Sequence, residues 1–152
     1  MMTPARAPLL GVCIAALLAG CAVDPTFVPA MNTNPACPDL ADWGAPELYG
    51  SWDLALPDVD RQGTVELSRH PEYGASLRGH LRYADGLQSI ASGDLGEGAF
   101  NLDESVDGKT YYAFWTGHMV PESCGDEIRG LWQRLPQDGE PELQSRFVLR
   151  RR

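Results

Sequence analysis

Turn-forming residues recur about every ten positions from Pro57 onward, and no other feature of this chain constrains its fold as much. The signals are Pro57 to Gly63, His70-Pro71-Glu72-Tyr73-Gly74, Ala84-Asp85-Gly86, Gly96-Glu97-Gly98, Asp107-Gly108, Pro121 to Gly125, and Pro136 to Pro141 around Asp138-Gly139. Asp-Gly suits a tight hairpin because both central residues can take positive φ, matching the twist of the flanking strands. With 16 glycines and 12 prolines among 152 residues, a helix of ordinary length finds no room. Between the turns the apolar period is two. Trp52, Leu54 and Leu56 alternate with Ser51, Asp53 and Ala55; Val65 and Leu67 flank Glu66; Leu77, Leu81 and Tyr83 oppose Ser76, Arg78, His80 and Arg82. Seven turns predict eight short antiparallel strands. Such strands dispose of their edges most simply by closing into an all-β, eight-stranded up-and-down β-barrel, with a two-sheet β-sandwich as the rival arrangement.

The segment before the strands is of another kind. Leu9 to Gly20 is one uncharged run behind Arg6, shorter than the roughly 20 residues that span a bilayer, and it reads as a secretion signal. Asp24-Pro25, Pro29, Asn32 and Asn34-Pro35 follow with no hydrophobic period, as in a flexible tether. The expected organisation is a signal peptide over 1–20, a tether over 21–42 and a barrel domain over 43–152. Arg6 is the one charge in the first twenty residues, so the remainder is one unit more negative than the −9 of the whole chain. That balance excludes a bare electrostatic nucleic-acid binder, and it excludes attraction to an anionic membrane surface as the means of holding the protein in place.

Leu18-Ala19-Gly20-Cys21 resembles the lipobox of bacterial lipoproteins. The resemblance implies cleavage before Cys21 and acylation of its thiol and amine, palmitate included, and at about 0.8 kcal/mol per buried methylene several chains anchor stably. Ala22 in place of Asp implies an outer-membrane address, with the domain in the periplasm. Cys13 then leaves with the signal and Cys21 is acylated, so Cys37 and Cys124 remain in an oxidising compartment with one pairing open to them. A Cys37–Cys124 disulfide is expected; buried free thiols or a two-ligand metal site are the alternatives.

Gly50-Ser51-Trp52 is similar to the Gly-x-Trp opening of the calycin superfamily, which implies a first-strand Trp at the barrel floor beneath an Arg of the last strand, here Arg146 or Arg150. Trp115-Thr116-Gly117-His118 and Ile128-Arg129-Gly130-Leu131-Trp132 resemble the aromatic-Ser/Thr-Gly strand and the later Trp-bearing strand of avidins within that superfamily, whose longer-chained members are the lipocalins. Trp115 and Trp132 match avidin's tryptophan walls. Its hydrogen-bonding residues do not carry over: Leu54 stands where the first-strand Asn would be, Leu81 and Tyr83 replace a Tyr and a Ser, and Tyr111 and Ala113 replace a Ser and a Thr. A biotin site lacking those partners loses about 1–3 kcal/mol for each, so the resemblance implies the avidin-like or lipocalin-like fold and not the ligand.

Tyr111-Tyr112-Ala113-Phe114-Trp115 is the densest aromatic segment. With Tyr111 and Trp115 facing inward it would line a cup at one barrel end or simply fill the core, leaving Tyr112 and Phe114 as an outer aromatic stripe suited to a protein partner. Asp103 to Gly108 has the first positions of a calcium loop, but Phe114 replaces the bidentate Glu at the twelfth position, and a plain hairpin turn is the preferred reading. His70, His80 and His118 are too scattered to argue a metal, and no nucleophile elbow or catalytic pair is defensible. The expectation is therefore a protein that is not an enzyme and carries no cofactor or metal. Its expected role is to bind a small apolar or aromatic ligand through Trp115, Trp132, Tyr111 and Trp52. The alternatives are a periplasmic inhibitor of a basic hydrolase, lysozyme or a protease, and a protein-interaction module of the envelope. Pro46 to Trp52 loosely resembles the opening of barrel-fold metalloprotease inhibitors of bacteria.

Overall fold

A computed structural model describes residues 37–152; the signal run, Cys13, Cys21 and the chain up to residue 36 lie outside the described residues. Among the described residues, eight strands form one closed antiparallel barrel in chain order: β1 (Gly50–Leu56), β2 (Arg61–Arg69), β3 (Leu77–Tyr83), β4 (Gln88–Gly96), β5 (Ala99–Ser105), β6 (Ala113–Met119), β7 (Glu127–Arg134) and β8 (Leu143–Arg151). Each of the seven turn signals marks a connection between consecutive strands. The last strand returns to the first, from Trp52↔Arg151 to Ala55↔Val148, and this closure decides for the barrel over the sandwich.

Alternation dictates what fills the barrel. Trp52, Leu54 and Leu56 of β1, Leu77, Leu81 and Tyr83 of β3, Phe100 and Leu102 of β5, Trp115, Trp132, Phe147 and Leu149 are buried, while their chain neighbours face outward. Large rings need room, and two glycines make it. Gly117 and Gly130 are partners across β6 and β7, and a Cβ on Gly130 would lie 2.7 Å from the ring of Phe147 and closer still to the Thr116 carbonyl. The flat backbone there lets Phe147 lie within 5.0 Å of Trp115, centroid to centroid.

The end where β1 begins is the floor. Two 3-10 turns, Leu40–Asp42 and Ala45–Leu48, cross it and bury Leu40, Ala45 and Leu48, so the core takes in Leu40 from the stretch whose sequence reads as tether. Trp52 donates its indole N–H to the Leu48 carbonyl at 2.9 Å. Cys37 and Cys124 are joined by a disulfide with their Cα atoms 4.7 Å apart, which clasps this segment to the β6–β7 connection. The cation over Trp52 is Arg151, 4.4 Å from the ring centroid, and neither Arg146 nor Arg150. Parity explains the correction: Arg151 shares the inward face of β8 with Phe147 and Leu149, whereas Arg150 points outward to Glu127 at 2.8 Å and Arg146 outward to Asp58.

That last pair ties the β1–β2 connection to β8. Arg146 gives Asp58 its guanidinium, at 2.6 Å from Nη2, and its backbone N–H, at 2.7 Å. The side-chain hydrogen bonds first, then the backbone one, pull the Asp58 carboxyl from 3.8 down to about 2. A depressed carboxyl stabilises the fold fully above its unfolded value and loses that contribution as pH falls through the folded one, here between roughly pH 4 and pH 2. A carbonyl-detected NMR titration of the Asp58 carboxyl is expected to show a midpoint near 2 in the parent chain. In Arg146→Gln the midpoint should rise only part of the way toward the ordinary carboxylate range, because the backbone N–H of residue 146 still donates to the Asp58 carboxylate.

Candidate functional site

At the opposite end, the mouth, β5 carries a charged residue into the interior. Phe100 and Leu102 point inward, so Glu104, two positions on, must also, and it is 0% exposed. A buried carboxylate is an acceptor that needs donors, and the neighbouring strands supply four. Tyr83 Oη donates to Oε1 at 2.9 Å and lies 3.0 Å from Oε2; Ser89 Oγ also donates to Oε1. Trp115 Nε1 donates to Oε2 at 2.9 Å and Trp132 Nε1 to the same oxygen at 3.2 Å. The two indoles are direct partners across β6 and β7, with centroids 6.5 Å apart and nearly edge to face. Burial, followed by the Glu104 charge and hydrogen bond, raises the Tyr83 phenol far above its ordinary value, so it stays a donor at every physiological pH.

Above this cluster the mouth is spanned by side chains. Arg61, on the inward face of β2, stacks its guanidinium 3.7 Å from the Tyr83 ring centroid and pairs Nε with Asp85 at 2.9 Å. Its Nη1 donates to Tyr112 Oη at 3.1 Å. Tyr112 comes from the far side of the barrel, beside Trp132 at a centroid distance of 6.3 Å, so the Arg61–Tyr112 bond is a strut across the opening. Arg134, partner of Ala113 at the end of β7, gives Nη2 to the Pro141 carbonyl at 2.9 Å, while its Nε is buried with no partner among the described residues.

Of the four residues expected to line a cup, the structure brings together Trp115 and Trp132. Trp52 is at the floor. Tyr111 is 58% exposed and packs outside against Phe114 at 5.3 Å, because the β5–β6 connection runs through residue 112 and the strand ladder begins at Ala113. Tyr112, expected on the outer stripe, turns across the mouth instead. Asp107 sits in the β5–β6 connection and accepts from Lys109 N and Thr110 N, both at 2.8 Å, as a hairpin turn requires. Among the described residues no three His, Cys, Asp or Glu side chains are grouped to hold a metal. The sequence reading missed Glu104, although its parity with Phe100 and Leu102 was there to be counted.

No family model matches this chain, and no curated protein matches it. Among solved structures it is similar to EF1p2_mFAP2b bound to DFHBI, with a TM-score of 0.44 and 16% identity over 71% of this chain and 96% of that one. It is also similar to a de novo designed fluorescence-activating β-barrel, with a TM-score of 0.42 and 18% identity over 71% of this chain and 96% of that one.

Proposed function

We propose that this chain is a lipid-anchored protein of the bacterial outer membrane, facing the periplasm, that binds a small apolar or aromatic ligand without transforming it. The observation that carries the reading is the unequal closure of the two barrel ends. The floor is held by a disulfide and two buried turns. At the mouth the β1–β2 connection is tied to β8 through Asp58 and Arg146, but the span directly over the aromatic rings that surround Glu104 is made by side chains, through a 3.1 Å hydrogen bond between Arg61 and Tyr112. Opening that strut uncovers Trp132 and Tyr83, which offer ring faces around fixed polar atoms, the usual make-up of a small-ligand site.

Titration of the chain with indole and with 2-naphthol tests this through the tryptophan fluorescence. Saturable quenching is expected, and Trp132→Phe should weaken it about tenfold, roughly 1.4 kcal/mol. Tyr112→Ala, which removes the strut, should speed association. No saturable change with either probe in the parent chain and in Tyr112→Ala would refute the small-ligand reading. The address is tested separately: palmitate labelling should be lost in Cys21→Ser, and retention of label there would refute the anchor.

An exterior patch favours a second, protein-facing role, that of an inhibitor of a basic hydrolase. Tyr111 is 58% exposed and packs on Phe114, and Leu131, 38% exposed, lies opposite Thr116, the next outward position of β6 after Phe114. Inhibition of lysozyme at low salt that is abolished by Tyr111→Ser would favour it over the first reading.

A further inference from the structure

The outer wall of the barrel holds a second concavity that the interior site does not use. A groove of about 320 Å³ lies over the β3–β4 ladder, where His80 is opposite Ile90 and Arg82 opposite Gln88, and the turn at Val106 to Gly108 forms its other wall. The turn rests on the strand pair: a Cβ on Gly108 would lie 3.5 Å from Ile90 Cδ1. The volume is at the lower end of the roughly 300–1,000 Å³ range of small-molecule sites.

Among the described residues Arg82, like Arg69, Arg78 and Arg134, holds no carboxylate, and of these four it is the one that lines this groove. Arg61, Arg129, Arg146, Arg150, Arg151 and Arg152 each hold a carboxylate. Among the described residues the side chains of His80, Arg82 and Gln88 make no hydrogen bond or ion pair. In a chain of net charge −9, an uncompensated guanidinium in a concave site is a vacancy for an anion. Asp107, which also lines the groove, and Glu66 on the neighbouring strand are turned to other donors. Asp107 accepts from Ser105, Lys109 and Thr110 of its own turn, and Glu66, opposite His80 across β2 and β3, takes the Ser51 hydroxyl. Beside these donors Ile90 and Val106 offer apolar surface, Val106 being 46% exposed.

We propose that this groove binds a small organic carboxylate, with its head on Arg82 and Gln88 and its apolar body against Ile90 and Val106. A planar guanidinium fork matches the two oxygens of a carboxylate, and one arginine balances one negative charge. The groove's backbone wall includes Leu81 and Ser89, whose side chains turn inward, but the side chains that would hold the ligand are outward ones, apart from the interior whose reporter is Trp132.

The probe is 2-naphthoate, titrated into the purified chain while NMR follows the Ile90 and Val106 methyl groups and the His80 ring. Saturable shifts confined to the groove are expected. Arg82→Gln should weaken binding at least tenfold and Val106→Asp should abolish it, while Arg69→Gln, outside the groove, should leave it unchanged. 2-Naphthalenemethanol, which keeps the body and lacks the charge, and acetate, which keeps the charge and lacks the body, should each bind at least tenfold more weakly. Equal binding of the alcohol, unchanged affinity in Arg82→Gln, equal competition by inorganic phosphate, or no saturable shift at millimolar 2-naphthoate would each overturn the proposal. None of these outcomes touches the tryptophan-fluorescence test of the interior.

Discussion

Glu104→Leu is expected to cost the fold about 3–5 kcal/mol, the net of stranding four buried neutral donors and relieving one buried carboxylate. The substitution removes an acceptor and leaves Tyr83 Oη, Ser89 Oγ, Trp115 Nε1 and Trp132 Nε1 facing a methyl-lined site. Each orphaned buried donor costs about 1–3 kcal/mol, so four of them set a large gross penalty. Burying a carboxylate costs several kcal/mol in its own right, and the leucine relieves that cost, which brings the net figure below the gross one. Urea denaturation measures it, and a loss under 1 kcal/mol would mean that the donors find other partners. Glu104→Gln should fall between parent and leucine variant, because the amide keeps one acceptor oxygen but aims a donor at donors. The same logic predicts strong non-additivity. In the background of Glu104→Leu, Tyr83→Phe and Ser89→Ala remove groups that have already lost their partner, so their cost should shrink or change sign.

Glu104 also marks where the sequence stopped being legible. The barrel could be read because turn chemistry and a period of two act locally: Asp85-Gly86 and Asp107-Gly108 announce their connections, and Leu77, Leu81 and Tyr83 declare one face without reference to any other strand. The site could not be read in the same way. Glu104 follows Asp103 in a strongly acidic chain, and charge alone argues for solvent; only the joint presence of donors from β3, β4, β6 and β7 makes its burial tolerable, and that is a property of closure. Tyr111 and Tyr112 exchanged their expected places for a related reason. Alternation is valid inside a strand, and nothing local says that the ladder begins at Ala113. For Arg151 the information was present, since parity from Phe147 and Leu149 along β8 reaches it and passes over Arg146 and Arg150.

Removal of the Cys37–Cys124 bridge, by reductant or by Cys37→Ser with Cys124→Ser, is expected to lower stability by about 4–5 kcal/mol in the loop-entropy model. The two cysteines are 87 residues apart, so the bridge ties the start of the described chain to the β6–β7 connection and removes many conformations from the unfolded ensemble. The native floor has independent support. Leu40, Ala45 and Leu48 remain buried, the Trp52 indole keeps the Leu48 carbonyl, and Arg151 Nη2 reaches the Glu47 carbonyl at 2.8 Å. The ring of Trp43 also occupies the space that a side chain at Gly125, φ +96°, would need. The reduced chain should therefore keep the parent's near-ultraviolet circular dichroism at 20 °C while its thermal midpoint falls by roughly 15–40 °C, taking about 4–8 °C per kcal/mol for a domain near this size. Retained circular dichroism with a midpoint lowered by only a few degrees would place the strength of the floor in its apolar contacts. Loss of the native spectrum at 20 °C would instead show that those contacts cannot hold the barrel without the covalent clasp.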